Sequence, residues 1–191
     1  RFIDGTVGLG GHAQALLDRC GPDGRLLGLD ADPAALDAAQ ERLHSYGDRV
    51  TLVHANYEQM KMVAPAHGFA PADGILLDLG LSSIQVDKAE RGFSFRGEGP
   101  LDMRMDQRMN CTAADLINQL STEELEDTLS RYGEERWAKK IAKAIVQERE
   151  QNPIRMTQTL RKIVHTAIPR RFHTRRIDPA TRTFQAFRIL V

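Results

Sequence analysis

In the first eighty positions, apolar residues fall in short continuous runs separated by segments with helical spacing. Arg1-Phe-Ile, Arg25-Leu-Leu-Gly-Leu-Asp30, Arg49-Val-Thr-Leu-Val-His54 and Ala72-Asp-Gly-Ile-Leu-Leu-Asp78 read as four strands. Between them, a first helix from His12 to Cys20 is stopped by Gly21-Pro-Asp-Gly24, and a second opens at Pro33 with Leu36, Ala39 and Leu43 on one face. A third is expected from Tyr57 to His67. Strands alternating with helices predict an α/β fold with a parallel sheet. Only four strands are seen and Arg1 opens directly on one, so a piece of a larger sheet is expected, with sequence upstream.

The pattern changes after Gly80. Residues 81–110 have no clear period and carry Arg91-Gly-Phe-Ser-Phe-Arg-Gly-Glu-Gly-Pro100 and Asp102-Met-Arg-Met-Asp106. Connections this long are usually functional or disordered, and the aromatics and charges favour function. From Thr112 onward the chain reads as helical. Thr112 caps one helix and Ser121-Thr-Glu-Glu124 is a capping box for the next. A helix from Glu134 to Glu150 carries Trp137, Ile141, Ala144 and Ile145 along one face, and Pro153 ends it. Thr157 opens another with Leu160, Val164 and Ile168, closed by Pro169, and Phe184, Phe187 and Val191 begin a last one. The expected organisation is a sheet core over 1–110, a helical insertion over 111–178, and the start of a helix returning to the core over 179–191.

Composition adds little until charge is divided along the chain. With 41% hydrophobic and 27% charged residues among 191, a soluble globular protein is expected. No signal peptide is seen in these residues and no apolar run nears the roughly 18 residues of a membrane span; with Arg1 opening directly on a strand, a removed targeting segment and an organelle stay open. Cys20 and Cys111 are too few for a thiolate metal site or a disulfide framework and suit a reducing, cytoplasmic setting; the histidines are scattered, so no metal is expected. The net charge is zero, yet residues 1–130 hold 11 Lys and Arg against 21 Asp and Glu, and residues 131–191 hold 15 against 5. That basic third is a candidate polyanion surface.

The densest chemical signal is Asp4-Gly-Thr-Val-Gly-Leu-Gly-Gly-His12, a glycine turn between the first strand and first helix. Its glycines permit positive φ and close backbone approach, and Gly10, Gly11 and His12 offer backbone donors at the helix start. Gly8-x-Gly10-x-x-Ala13 also satisfies a dinucleotide fingerprint. In an open parallel sheet the ligand lies beyond the C-terminal strand ends. There Asp30 can accept ribose hydroxyls, Asp32 being better placed to cap the helix at Pro33. Tyr57 is either an adenine stacking partner or a core aromatic. Asp78, directly after an apolar run, needs a cationic or hydrogen-bonding partner if buried. Asp4 and Asp78 would repel a pyrophosphate but suit a ligand bearing an ammonium and a sulfonium, so S-adenosylmethionine ranks ahead of a nicotinamide dinucleotide. A nicotinamide-dependent oxidoreductase and a catalytically inactive RNA-binding protein with a methyltransferase fold stay as alternatives.

Asp4-Gly-Thr-x-Gly-x-Gly-Gly-His12, Asp78-Leu-Gly-x-Ser-Ser-x-Gln85, Glu90-Arg-Gly-Phe-Ser-Phe95, Gly99-Pro-Leu-Asp-Met-Arg-Met-Asp106, Tyr132-Gly-Glu-Glu135 and Ala180-Thr-Arg-Thr-Phe-Gln185 together resemble the MraW/RsmH family. The likeness covers nearly the whole chain. It implies a Rossmann-like class I methyltransferase sheet, C-terminal strands beyond Val191, and an inserted helical domain. It also implies S-adenosylmethionine-dependent methylation of N4 of a cytidine in small-subunit ribosomal RNA, with ribosomal RNA or the small subunit as partner. By motif position, the cofactor contacts are Gly10, Gly11, His12, Asp30, Tyr57, Asp78 and Gln85; Tyr57 stands where the family usually has Phe. For the chemistry, acceptors around Leu79 to Ser83 could draw on the amine's N–H hydrogens, with Ser82 and Ser83 as the candidate side chains or as simple turn residues. Phe93 and Phe95 could receive an unstacked base, while Arg91, Arg96 and Arg104 hold phosphates or pair internally with Glu98, Asp102 and Asp106.

Overall fold

The computed structural model describes residues 1–173 and 176–191, apart from the side chains at 83 and 84. The chain forms two compact units, Arg1–Ser82 and Ser83–Val191. In the first, β1 (Phe2–Asp4), α1 (Gly11–Arg19), β2 (Leu26–Asp30), α2 (Pro33–Leu43), β3 (Val50–His54), α3 (Met60–Ala66) and β4 (Gly74–Leu76) follow in order. The four strands are parallel and lie in the order β3-β2-β1-β4. The chain thus steps from β1 through β2 to β3, then crosses to the far side of β1. This is the topology of a Rossmann-like sheet, with its switch point between β1 and β4.

Strand alternation divides the apolar residues between two faces. Ile3, Leu27 and Leu29 cluster with Ala55, Ala64 and Phe69, joined by Met60 and Val63 of α3. Leu26, Val50 and Leu52 cluster instead with Ala13 and Leu17 of α1 and Ala39 and Leu43 of α2. One strand position must be glycine. A Cβ on Gly28 would lie 2.7 Å from Leu52 Cδ2 and 3.0 Å from Val7 Cγ2, so its absence lets the glycine turn settle on the middle of β2.

In this unit two elements differ notably from the sequence reading. The third helix opens with a 3₁₀ turn, Tyr57–Gln59, because Asn56 and Gln59 form a reciprocal cap: Glu58 N–H donates to Asn56 Oδ1, and Asn56 N–H donates to Gln59 Oε1. β4 spans three residues rather than the expected seven, with Ile75 and Leu77 59% and 47% exposed.

The second unit contains α4 (Ser83–Asp87), α5 (Ala113–Gln119), α6 (Thr122–Arg131), α7 (Ala138–Arg149), α8 (Thr157–Ala167) and α9 (Thr181–Leu190). Thr112 with Asp115, and Ser121 with Glu124, make the capping boxes that start α5 and α6. The helix expected from Glu134 starts at Ala138, since Glu134 has a left-handed φ of 49° that breaks helical geometry. The aperiodic stretch before α5 belongs to this unit, which places the boundary at 82/83 rather than 110. It is threaded through the helical core: Phe93, Leu101 and Met103 are fully buried. Leu101 N–H donates to Arg155 O at 2.8 Å, Thr157 N–H to Gly99 O at 2.9 Å, and Arg188 Nε to Phe93 O at 2.8 Å. Gly92, at φ 70°, has the Pro100 carbonyl and Asp102 N where a Cβ would stand, so glycine permits this chain crossing. α9 buries Phe184 and Phe187 in the same unit. No helix among the described residues is long and apolar enough to cross a membrane.

Candidate functional site

The glycine turn leaves β1 and enters α1 between the C-terminal ends of β2 and β4. Gly5 N–H donates to Leu76 O and Val7 N–H to Leu29 O, both at 2.9 Å, so the turn is stitched to both neighbours of β1. Gly8 and Gly10 have φ of 52° and 78°, which a side chain would resist. Gly10 caps α1 without a side-chain bond, and its own N–H is used within the turn, donating to Val7 O at 2.8 Å. That corrects the reading of Gly10 as a free donor: its contribution is shape. Gly11 and His12, the first two residues of α1, are exposed, and helix geometry leaves their N–H groups without intrahelical acceptors.

Three carboxylates gather here. Asp30, at the end of β2, accepts Gly8 N–H at 2.8 Å and Asp32 N–H at 2.9 Å. It thereby braces the turn while each oxygen keeps a further lone pair. Burial pushes its carboxyl above the usual range, against those two donors. Asp32 caps α2 by accepting Ala34 N–H at 3.1 Å, which separates its role from that of Asp30. Asp4 is completely buried; its Oδ1 accepts Thr6 N–H at 3.2 Å and its Oδ2 has no partner. Burial raises the Asp4 carboxyl, and the charges of Asp30 and Asp78 raise it further, while the Thr6 N–H and His12 oppose them. In the sequence Asp4 counts only as one negative charge; its orphaned oxygen is visible only once β1 is placed inside the sheet.

Asp78, just past the end of β4, has its side chain 68% exposed and 3.7 Å from His12 Nδ1. Its backbone N–H donates to Thr6 Oγ1 at 2.7 Å, so the threonine of the turn ties the loop after β4 to the site. Tyr57 is 40% exposed, which removes the core-aromatic alternative, and its Cβ stands near the bare face of Gly5. Ser82 closes this unit half-buried; Gln85 lies buried on α4 in the other unit, and the Ser83 side chain lies outside the described residues.

The residues expected to hold the base and its phosphates are mostly internal. Phe93 is fully buried and Arg91 lies over its ring, 5.7 Å from the centroid, while donating to the Arg104 and Met105 carbonyls at 3.0 and 3.2 Å. Arg104 grips Asp102 through Nε and Nη2 at 2.8 and 2.7 Å and reaches the Met109 carbonyl at 2.6 Å. These three residues build the loop, so the docking role is withdrawn from them. Phe95 packs edge-on against Phe184 at 4.9 Å beneath Arg161, which leaves it half-buried, and Arg96 is exposed.

Among the described residues, no three His, Cys, Asp or Glu side chains are grouped to hold an ion. Asp4, Asp30 and Asp78 set a negative edge beside the helix-start donors. Residues 1–191 match the model of a family described as the MraW methylase family. The chain is 52% identical over 190 residues to a ribosomal RNA small subunit methyltransferase H of Trichlorobacter lovleyi, covering all of this chain and 61% of that protein. Proteins of the same name from Syntrophobacter fumaroxidans and Geobacter sulfurreducens are 48% and 50% identical, again over the whole chain and over 60% and 61% of their own lengths. The chain therefore spans about three fifths of the curated relatives it matches.

Proposed function

From the premise that this chain belongs to the MraW methylase family, we propose that its glycine turn binds S-adenosylmethionine and that the whole protein methylates N4 of a cytidine in small-subunit ribosomal RNA. The observation that carries the cofactor is the orphaned Oδ2 of Asp4, buried within the electrostatic reach of Asp30 and Asp78. A pyrophosphate would add charge of the same sign to this edge; an ammonium and a sulfonium neutralise it. That argues against a nicotinamide dinucleotide, and the relatives' names argue against it independently.

In this reading each residue has one task. The cofactor's ammonium comes within the field of the buried Asp4 and the exposed Asp78, the exposed N–H groups of Gly11 and His12 receive its carboxylate, and the free lone pairs of Asp30 take the ribose hydroxyls. The half-exposed Tyr57 ring lies against the adenine. Bound there, S-adenosylmethionine would supply an electrophilic methyl group for in-line transfer to an exocyclic amine, the sulfonium–methyl bond breaking as the nitrogen–carbon bond forms, with the neutral thioether leaving and one amine proton passing to water. The residues from Leu79 to Ser83 then act on the acceptor: backbone carbonyls and the hydroxyls of Ser82 and Ser83 accept its N–H hydrogens, which frees the nitrogen lone pair from the ring. Alignment, more than acid–base power, sets the rate.

Calorimetric titration of the full-length protein tests the site. S-adenosylmethionine should bind and NAD should not, and Asp30→Ala and Asp78→Ala should each weaken binding. Unchanged affinity in both variants, or NAD binding in place of S-adenosylmethionine, contradicts the assignment.

A further inference from the structure

The helical unit carries an aromatic and cationic surface that the methyl-transfer site does not use. Trp137, just before α7, and Phe172, in the 3₁₀ turn Arg170–Phe172 after α8, bring their rings to 5.0 Å between centroids, tilted by 50°. Three cations lie over them. The Arg136 guanidinium is 5.5 Å from the Trp137 centroid and 4.9 Å from that of Phe172, Lys140 Nζ is 4.8 Å from Trp137, and Arg171 is 4.9 Å from Phe172. Both rings line a cleft of about 230 Å³ with Ile168, Ile177 and Pro179.

The charges of this cleft are one-sided. Its two acids are engaged: Glu135 accepts Trp137 N–H at 2.9 Å, and Asp178 is held by Arg161 and His165 at 2.7 and 2.9 Å. Among the described residues, Arg136, Lys140 and Arg171 have no carboxylate within ion-pair distance, and all three are exposed. Nor does the fold use the indole polar edge, since the buried Trp137 Nε1–H has no acceptor. Half-buried ring faces flanked by unpaired cations suit a polyanion whose repeating unit also offers a flat apolar face, and an unpaired nucleotide is that unit. A duplex hides its base faces and would meet only the cations.

We propose that Trp137 and Phe172 form a stacking site for an unpaired base of the RNA, with Arg136, Lys140 and Arg171 on the adjoining phosphates. This rests on the reading of RNA as the substrate and names residues, other than those assigned to the reacting cytidine, that grip a single-stranded segment. Trp137 is the only tryptophan, so its fluorescence reports on the site directly. Titrating the full-length protein with a single-stranded RNA oligonucleotide should quench that fluorescence saturably, whereas polyphosphate of similar charge should bind without quenching. Phe172→Leu, which keeps apolar volume, should weaken oligonucleotide binding about 5- to 100-fold, as expected for loss of one stacked base. Arg136→Glu with Arg171→Glu should weaken both ligands. Oligonucleotide binding measured by filter retention with no quenching and no effect of Phe172→Leu overturns the stacking site but leaves RNA docking in place. No binding of RNA by the wild-type protein overturns both.

Discussion

Asp4→Asn should make the protein more stable and worse at holding its cofactor. The carboxylate sits fully buried with one oxygen bonded to Thr6 N–H and the other without a donor. A buried polar atom left unsatisfied costs about 1–3 kcal/mol, and the fields of Asp30 and Asp78 add to the strain on a charged group. Asparagine keeps the shape, removes the charge and turns an N–H donor toward those acids, so unfolding in urea should require about 1 kcal/mol more near neutral pH. Binding should move the other way. Losing the attraction between this buried carboxylate and a bound cation removes about 1–2 kcal/mol, or roughly 5- to 30-fold in the calorimetric Kd for S-adenosylmethionine. A pH series adds a sign. Because the folded-state pKa of Asp4 is raised, wild-type stability carries a penalty above that pKa that is relieved as pH falls through it and is absent below the unfolded value near 3.8. The advantage of Asp4→Asn should therefore shrink on acidification. A variant that is less stable at neutral pH and binds S-adenosylmethionine with unchanged affinity would refute the reasoning.

In the helical unit the pH dependence has the opposite sign. Burial raises the Asp178 carboxyl, but the Ala180 N–H, His165 and Arg161 together hold it below the usual range, so its stabilisation is present above the unfolded value near 3.8 and is lost as pH falls through the folded value. Asp178→Asn should lower the melting temperature at neutral pH and flatten its loss in acid, which melts across pH would check. Gly92→Ala should destabilise by about 2 kcal/mol or more, because φ is 70° and the new Cβ meets the Pro100 carbonyl and Asp102 N; denaturant titration reads this directly. Reversing the exposed Arg170, Arg171 and Arg176 to Glu should reduce RNA affinity and the steepness of its salt dependence without changing cofactor affinity. Arg175, in the same basic run, lies outside the described residues.

How legible each feature was depended on whether its signal was local. The strands of the first unit were readable because β2 is buried on both faces and so appears as a continuous apolar run, Leu26 to Leu29. The capping role of Asp32 was readable because an N-cap sits at a fixed offset from Pro33. The exposure of Asp78 was not readable, because an apolar run looks the same whatever its strand's neighbours, and strand order is not local information. The same limit hid the loop before α5. Phe93, Arg91 and Arg104 look like surface recognition residues in an aperiodic stretch, yet Phe93 is fixed by Arg188 far along the chain, and Arg91 and Arg104 are spent on partners within their own loop. The orphaned oxygen of Asp4 required both neighbours of β1 to be in place before it could be recognised.

The central claim, that this family member carries a methyl group to the exocyclic amine of a cytidine in small-subunit ribosomal RNA, is most directly tested by nucleoside mass spectrometry. Small-subunit RNA would be compared from cells with the full-length protein, without it, and with its Asp4→Asn variant. The account predicts that N4-methylcytidine disappears from the RNA when the protein is absent and is depleted in the variant, with 5-methylcytidine unchanged. Unaltered N4-methylcytidine on removing the protein, or a loss of 5-methylcytidine instead, would contradict it.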